Sequence, residues 1–398
     1  MNSDKSLKKI IYLSCTPVSS IVGNKIDPWW FKSKGFEVEY WNVTKINYTE
    51  KALDTYFGGS PDYKFTFPNE IVIRNRIELE EKMSMVGTNS IIVILDFWQT
   101  KDLWIYALLK KYNLEYYLSP RTNAILYYPK KNIKGLFTSI VKSIHRGDLY
   151  SKVKESIFRY LYKYTNNYKK PSYVFVCGNK GKEQWINTQA KIYVNVPSPD
   201  ILWKKKERLI KDNYCVYIDD GVTYSPDMAL IDGESDNLTT TNIEKYKSNI
   251  SKIFDIIEFT NKLKVIIAAS GKIKYSENNI YSGKDVYYHK TNELIQNSSL
   301  VIGHCSSGIL QVVVSKKPMI LLLDETFIPE KNENIIIAGE ALNIKPIWSS
   351  EFKYFKLESI GIDIKKYEII VKDYLCSENC EVDYREIIFN CLTNHTTD

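Results

Sequence analysis

Two short stretches hold the residue types that could do chemistry. In one, the apolar run Leu300-Val301-Ile302-Gly303 breaks into His304-Cys305-Ser306-Ser307-Gly308 and resumes as an apolar helical pattern from Ile309. A strand, a tight turn of small hydroxyl residues and a helix start leave backbone N–H groups without partners. With the Ser306 and Ser307 hydroxyls they make an anion site suited to a phosphate. Gly303 and Gly308 let the backbone approach such a group closely. The same serines also read as a plain helix cap. In the other stretch, Val216-Tyr217-Ile218 ends in Asp219-Asp220-Gly221. Carboxylates at the carboxyl end of a buried strand lie where open α/β sheets bind ligands, and one of them could act as a general base on a hydroxyl. Neighbouring side chains on extended backbone point opposite ways, so one of the pair should face the ligand. An ordinary Asp-Gly turn is the alternative.

The four histidines are His145, His289, His304 and His395. His304 lies inside the phosphate-type turn and His289 ends a strand-like run. Either could donate a proton or a hydrogen bond to a leaving phosphate, and either could be a structural polar residue. No two histidines have metal-ligand spacing, and Cys376 and Cys380 lack a partner pair, so no metal and no cofactor are expected. No Walker A or Gly-x-Ser-x-Gly motif occurs.

These turns need strands to position them, and the chain supplies strands in alternation with helices. Buried-strand runs are read at Lys8–Cys15, Phe36–Val43, Ile91–Asp96, Glu115–Leu118, Tyr173–Gly178 and Lys191–Val196. Further ones are read at Tyr214–Ile218, Lys264–Ala269, Asp285–His289, Leu300–Gly303 and Pro318–Leu323. Helices are read at Leu103–Tyr112, Asn242–Asn261, Asn292–Asn297 and Gly308–Lys316. In the second of these, Ile243, Tyr246, Ile250, Ile253 and Ile257 share one face. Such alternation means βαβ units and parallel sheets. The chain's 398 residues exceed one growing core, so two domains are expected. The charge run Lys204–Arg208 marks the linker. The division is residues 1–205, residues 206–375 and a C-terminal tail or helix at 376–398.

Composition is that of a globular protein, with 44% hydrophobic residues and a net charge of +7. That excess suits either a solvated basic surface or contact with anionic ligands or an anionic leaflet. The stretch 133–168 mixes Lys and Arg with Ile, Leu, Phe and Tyr: a helix packed on the sheet, or a basic-aromatic face at a membrane near a lipid-linked acceptor. No RRM-type motif points to nucleic acid. Seven scattered cysteines, no signal-like segment and no spanning stretch lead to the expectation of a cytoplasmic protein, peripheral to the inner face of the membrane if it touches one.

At Asp219-Asp220-Gly221 and Ser306-Ser307 the chain resembles bacterial surface-polysaccharide glycosyltransferases of the GT-B fold, in particular the sialyltransferase and polysialyltransferase type. The opening through Gly35-Phe36-Glu37-Val38-Glu39-Tyr40-Trp41 is similar to proteins of capsule and O-antigen loci. The resemblance implies two Rossmann-like domains facing a central cleft, the first on the acceptor side and the second binding the nucleotide sugar. It implies sugar transfer from a nucleotide sugar, with a CMP-sugar of a nonulosonic acid favoured, to a glycan or lipid-linked glycan hydroxyl. Asp219 or Asp220 would take the proton. Gly221, Ser270, Gly271, Gly303, Ser306, Ser307 and Gly308 would line the donor. The family's His-Pro motif is replaced here by Ser270-Gly271, which leaves His289 or His304 to substitute, or a different donor. Two alternatives stand beside the transferase. One is a UDP-sugar epimerase on the same scaffold, which should carry more acid–base residues around the turn. The other is a catalytically idle glycan- or partner-binding protein.

Overall fold

Runs such as Ile10–Leu13 are apolar at every position, so both faces of the strand must be covered. The computed structural model describes residues 7–58, 64–95, 102–120, 153, 157, 160, 165, 167–185, 188–222, 230, 241–271, 273, 275, 281, 283–378 and 380–394. Asp96, most of residues 133–168, residues 223–227, His145 and His395 lie outside the described residues.

Strands β1 (Lys9–Ser14), β2 (Glu37–Asn42), β3 (Glu70–Val72), β4 (Ser90–Ile94), β5 (Tyr116–Leu118), β6 (Tyr173–Val176) and β7 (Ile192–Asn195) form the first sheet. Their order is β3-β2-β1-β4-β5-β6-β7, and each pairing is parallel. Strands β8 (Tyr214–Ile218), β9 (Lys264–Ala269), β10 (Asp285–Tyr288), β11 (Leu300–Gly303), β12 (Met319–Leu323) and β13 (Ile347–Trp348) form the second. Their order is β10-β9-β8-β11-β12-β13, again parallel throughout. The expected two parallel α/β halves are therefore present.

Helices α1 (Ser20–Ile26), α2 (Pro28–Ser33), α3 (Thr44–Asn47), α4 (Glu50–Gly58), α5 (Arg76–Ser84), α6 (Leu103–Lys111) and α7 (Gly181–Trp185) belong to the first half by sequence. Helices α8 (Ile243–Asn261), α9 (Thr291–Asn297), α10 (Ile309–Val314), α11 (Pro329–Leu342) and α12 (Ile364–Ile370) follow the strands of the second, and α13 (Tyr384–Thr393) ends the chain. Alternation along β1 divides the first core in two. Ile10 and Tyr12 join Phe31 of α2 on one face, while Ile11 and Leu13 join Leu79 and Leu109 on the other. The long amphipathic helix α8 buries Tyr246, Ile250, Ile253, Phe254 and Ile257 against the second sheet, as its spacing requires.

Some elements differ from the sequence reading. Strands β3 and β13 were not read, because they are short and only half-buried and so carry no apolar run. The helix expected over Gly308–Lys316 spans only Ile309–Val314. Within the segment read as the C-terminal tail or helix, Ile388 and Leu392 of α13 are buried in the first half's core. The chain thus leaves the first sheet after β7, builds the second, and returns.

Candidate functional site: the cleft between the two sheets

The second sheet reverses its strand order between β8 and β11. Loops leaving neighbouring strands at such a point diverge and open a crevice at the carboxyl ends. Asp219-Asp220-Gly221 follows β8 and His304–Gly308 follows β11, so the two motifs meet there. A cleft of about 620 Å³ lies at this point. Asp219, Asp220, Gly221, Ser270, Gly271, His289, Ser306, Ser307 and Gly308 line it from the second half, and Ile21, Asn24 and Lys25 of α1 from the first.

The two carboxylates have different surroundings. Asp219 is 5% exposed. Its Oδ1 accepts from the Gly221 amide at 2.9 Å, and its Oδ2 accepts from the Ser270 amide at 3.1 Å and the Tyr275 hydroxyl at 2.7 Å. Gly221 sits at φ +70°, in the left-handed region that a side chain disfavours. Burial raises the Asp219 carboxyl above its ordinary value, while the three donors pull it back down. Asp219 is therefore a strut between the ends of β8 and β9. Asp220 points the other way, to the ammonium of Lys331. Its side chain is 6% exposed and its Oδ1 has no hydrogen-bond partner among the described residues.

The turn after β11 also divides its residues. Ser306 Oγ accepts from the Gly308 amide at 3.2 Å, closing the turn as a local cap. Ser307 is exposed on the cleft, and its hydroxyl has no partner among the described residues. Neither the Ser306 nor the Ser307 amide gives a backbone hydrogen bond there. Cys305 lines the same wall, and burial pushes its thiol up to about 11, so it is no thiolate at neutral pH.

Two expected site residues are not in the cleft. His304 is 1% exposed and belongs to the core. Its Nδ1 lies 2.8 Å from the Leu322 carbonyl, which can only accept, so Nδ1 carries the proton. Nε2 then accepts from the tyrosine pair at 3.0 Å (Tyr217) and 3.1 Å (Tyr246), whose hydroxyls are 2.6 Å apart. Burial holds this imidazole below its ordinary value. With both nitrogens engaged, it has no proton to offer a phosphate. Gly303 is likewise buried, on β11 against Ile218 of β8, which an added Cβ would meet at 3.4 Å.

His289 is in the cleft, exposed, at φ +56°. A Cβ on Gly271 would lie 2.6 Å from His289 Cε1. The missing side chain at 271 is thus the space His289 fills. Sequence reasoning missed Lys331 and Tyr275. Lys331 had a signal: Pro329 at the first helical position, Glu330 in the first turn and Asn343 as a left-handed C-cap frame α11. Among the described residues no group of three or more His, Cys, Asp or Glu is placed to hold a metal ion, and no helix is long and apolar enough to cross a membrane.

No protein-family model matches the chain, and no curated protein matches it. Solved structures do share its course at low identity. The UDP-GlcNAc 2-epimerase from Methanocaldococcus jannaschii is 13% identical over 98% of this chain and 100% of its own, with a TM-score of 0.48. The calicheamicin glycosyltransferase CalG4 is 11% identical over 96% and 98%, with a TM-score of 0.49. A variant of the wall teichoic acid polymerase TagF is 12% identical over 98% and 89%, with a TM-score of 0.49. At these values the likeness assigns no activity and no ligand to this chain.

Proposed function

We propose that this chain is a GT-B glycosyltransferase that moves a sugar from a nucleotide sugar to a glycan hydroxyl. One observation carries the reading: Asp220, a buried carboxylate with one oxygen unpartnered among the described residues, lines the same cleft as the Ser306-Ser307 turn, whose amides and Ser307 hydroxyl have no partner there either. A base and an anion seat lining one space are what displacement at an anomeric carbon needs. The acceptor oxygen bonds to that carbon as the carbon–oxygen bond to the donor phosphate breaks. The bonding pair leaves on the phosphate oxygen, and the acceptor proton passes to Asp220. Asp219, held by three donors, keeps the loop in place.

The finer assignment rests on the motif resemblance. A CMP-sugar is the favoured donor, and a glycan or lipid-linked glycan of a surface polysaccharide the acceptor. His289, seated against Gly271, stands in for the absent His-Pro motif and hydrogen-bonds the leaving phosphate. A thermal-shift series with CMP, CDP, UDP and GDP tests this. CMP should give the largest rise in melting temperature. A preference for UDP overturns the sialyltransferase-type donor, and no rise with any of the four overturns the transferase. With the donor identified, Asp220→Asn should lower the transfer rate by about 10²–10⁴-fold, the usual contribution of a positioned base.

A further inference from the structure

Lys331 is in an electrostatically unfavourable place. It lies in the first turn of α11, a 14-residue helix whose N-terminus has no side-chain cap. The positive end of a helix dipole disfavours a cation. The side chain is nonetheless only 14% exposed and lines the cleft with the phosphate-type turn. Its field reaches both Cys305 and His304 of that turn. Among the described residues its ion pair is with Asp220, which binds it through Oδ2 and leaves a buried Oδ1 with no partner there. Glu330 in the same first turn answers the helix end, so what the cleft meets is the Lys331 ammonium beside the Ser306-Ser307 turn, and an anion is the ligand that fits it.

Building on the donor site proposed above, we propose that Lys331 is a phosphate-binding residue that exchanges Asp220 for the donor phosphate. The ammonium is held by Asp220. When the nucleotide's phosphate settles on the Ser306-Ser307 turn, Lys331 turns to it and leaves Asp220 without its counter-ion. That carboxylate is then free to accept the acceptor's proton. Donor binding thus prepares the base, and deprotonation waits for the donor.

The two members of the ion pair should respond with opposite signs. Isothermal titration with CMP against cytidine, and UDP against uridine, reads the phosphate contribution directly. Lys331→Gln should weaken nucleotide binding at least tenfold and leave nucleoside binding unchanged. Asp220→Asn should bind the nucleotide as tightly as the wild type or more tightly, because the competing partner is gone. Lys331→Arg, which keeps the charge, should restore most of the difference and guards against a folding defect in the Gln variant. If Lys331→Gln keeps the wild-type nucleotide-to-nucleoside ratio, or if both variants weaken nucleotide binding alike, the exchange is wrong although the donor site stands. If the wild type binds none of these nucleotides, the donor site itself is wrong and the exchange falls with it.

Discussion

The His304 imidazole donates through Nδ1–H to the Leu322 carbonyl and accepts through Nε2 from the tyrosine hydroxyl pair, all inside the core. Burial keeps it neutral below the ordinary histidine value of 6.5. The unfolded chain takes up a proton there near pH 6.5, and the folded chain only at lower pH. Its contribution to stability is therefore complete above that value and is lost as pH falls through the window beneath it. The melting temperature of the wild type should fall between pH 7 and 5. His304→Gln, less stable at pH 8, should lose much of that fall; an unchanged slope would mean that other groups cause it. Asp219→Asn removes an acceptor that serves the Gly221 and Ser270 amides and the Tyr275 hydroxyl. It should cost about 1–3 kcal/mol in urea unfolding, the range for a buried donor left unpaired. At this scale the sequence was a partial guide. The Asp-Asp-Gly and Ser-Ser pairs could be read because strand ends and small residues announce themselves. That Asp219 is a strut and His304 a core residue could not, since both outcomes depend on Tyr217, Tyr246 and Tyr275, which arrive from other elements.

Among the elements, the carboxyl ends of β9 and β10 meet where Gly271 makes room for His289. Gly271→Ala puts a methyl at 2.6 Å from the His289 ring, a separation that forces one of them to move. His289 is exposed, so the ring should swing out at little loss of stability. Nucleotide binding should then weaken severalfold while the melting temperature changes by no more than about 2–3 °C, consistent with a small local effect. A wild-type affinity in this variant would remove His289 from the donor site. Central strands and α8 were legible in the sequence because a buried parallel strand is apolar throughout and an amphipathic helix repeats at 3.6. Helix α11 was not read, although Pro329 and Asn343 mark its ends. Its apolar residues Ile335, Ile336 and Ile337 run consecutively rather than on one face, which hides the helical period.

For the molecule as a whole, the decisive feature is the return of the chain. After α12 a π-helical turn at Val371–Leu375 docks on the loop after β6, where the Asn179 and Lys180 amides donate to the Lys372 and Asp373 carbonyls at 3.0 and 2.9 Å. Helix α13 then lies on the first sheet. Its Tyr384 hydroxyl donates to the Lys25 carbonyl, and Arg385 pairs with Asp27 and Asp383. Lys25 in turn pairs with Asp200 on the outgoing crossover. The halves are thus joined by two chain passes that meet at α1, the helix that roofs the cleft. A lesion in the last helix should accordingly be felt in the first half of the sequence. Leu392→Ala removes a fully buried side chain from the cluster of Ile10, Tyr12 and Phe31. The loss should be about 2–5 kcal/mol, as for other large-to-small core changes. Hydrogen exchange read by mass spectrometry locates it. Amides of β1, β2 and β4 should exchange faster, while those of β8, β9 and β11 keep their protection and nucleotides still protect the Ser306-Ser307 turn. Faster exchange across both sheets to the same degree would mean that the halves unfold as one unit and that α13 serves both.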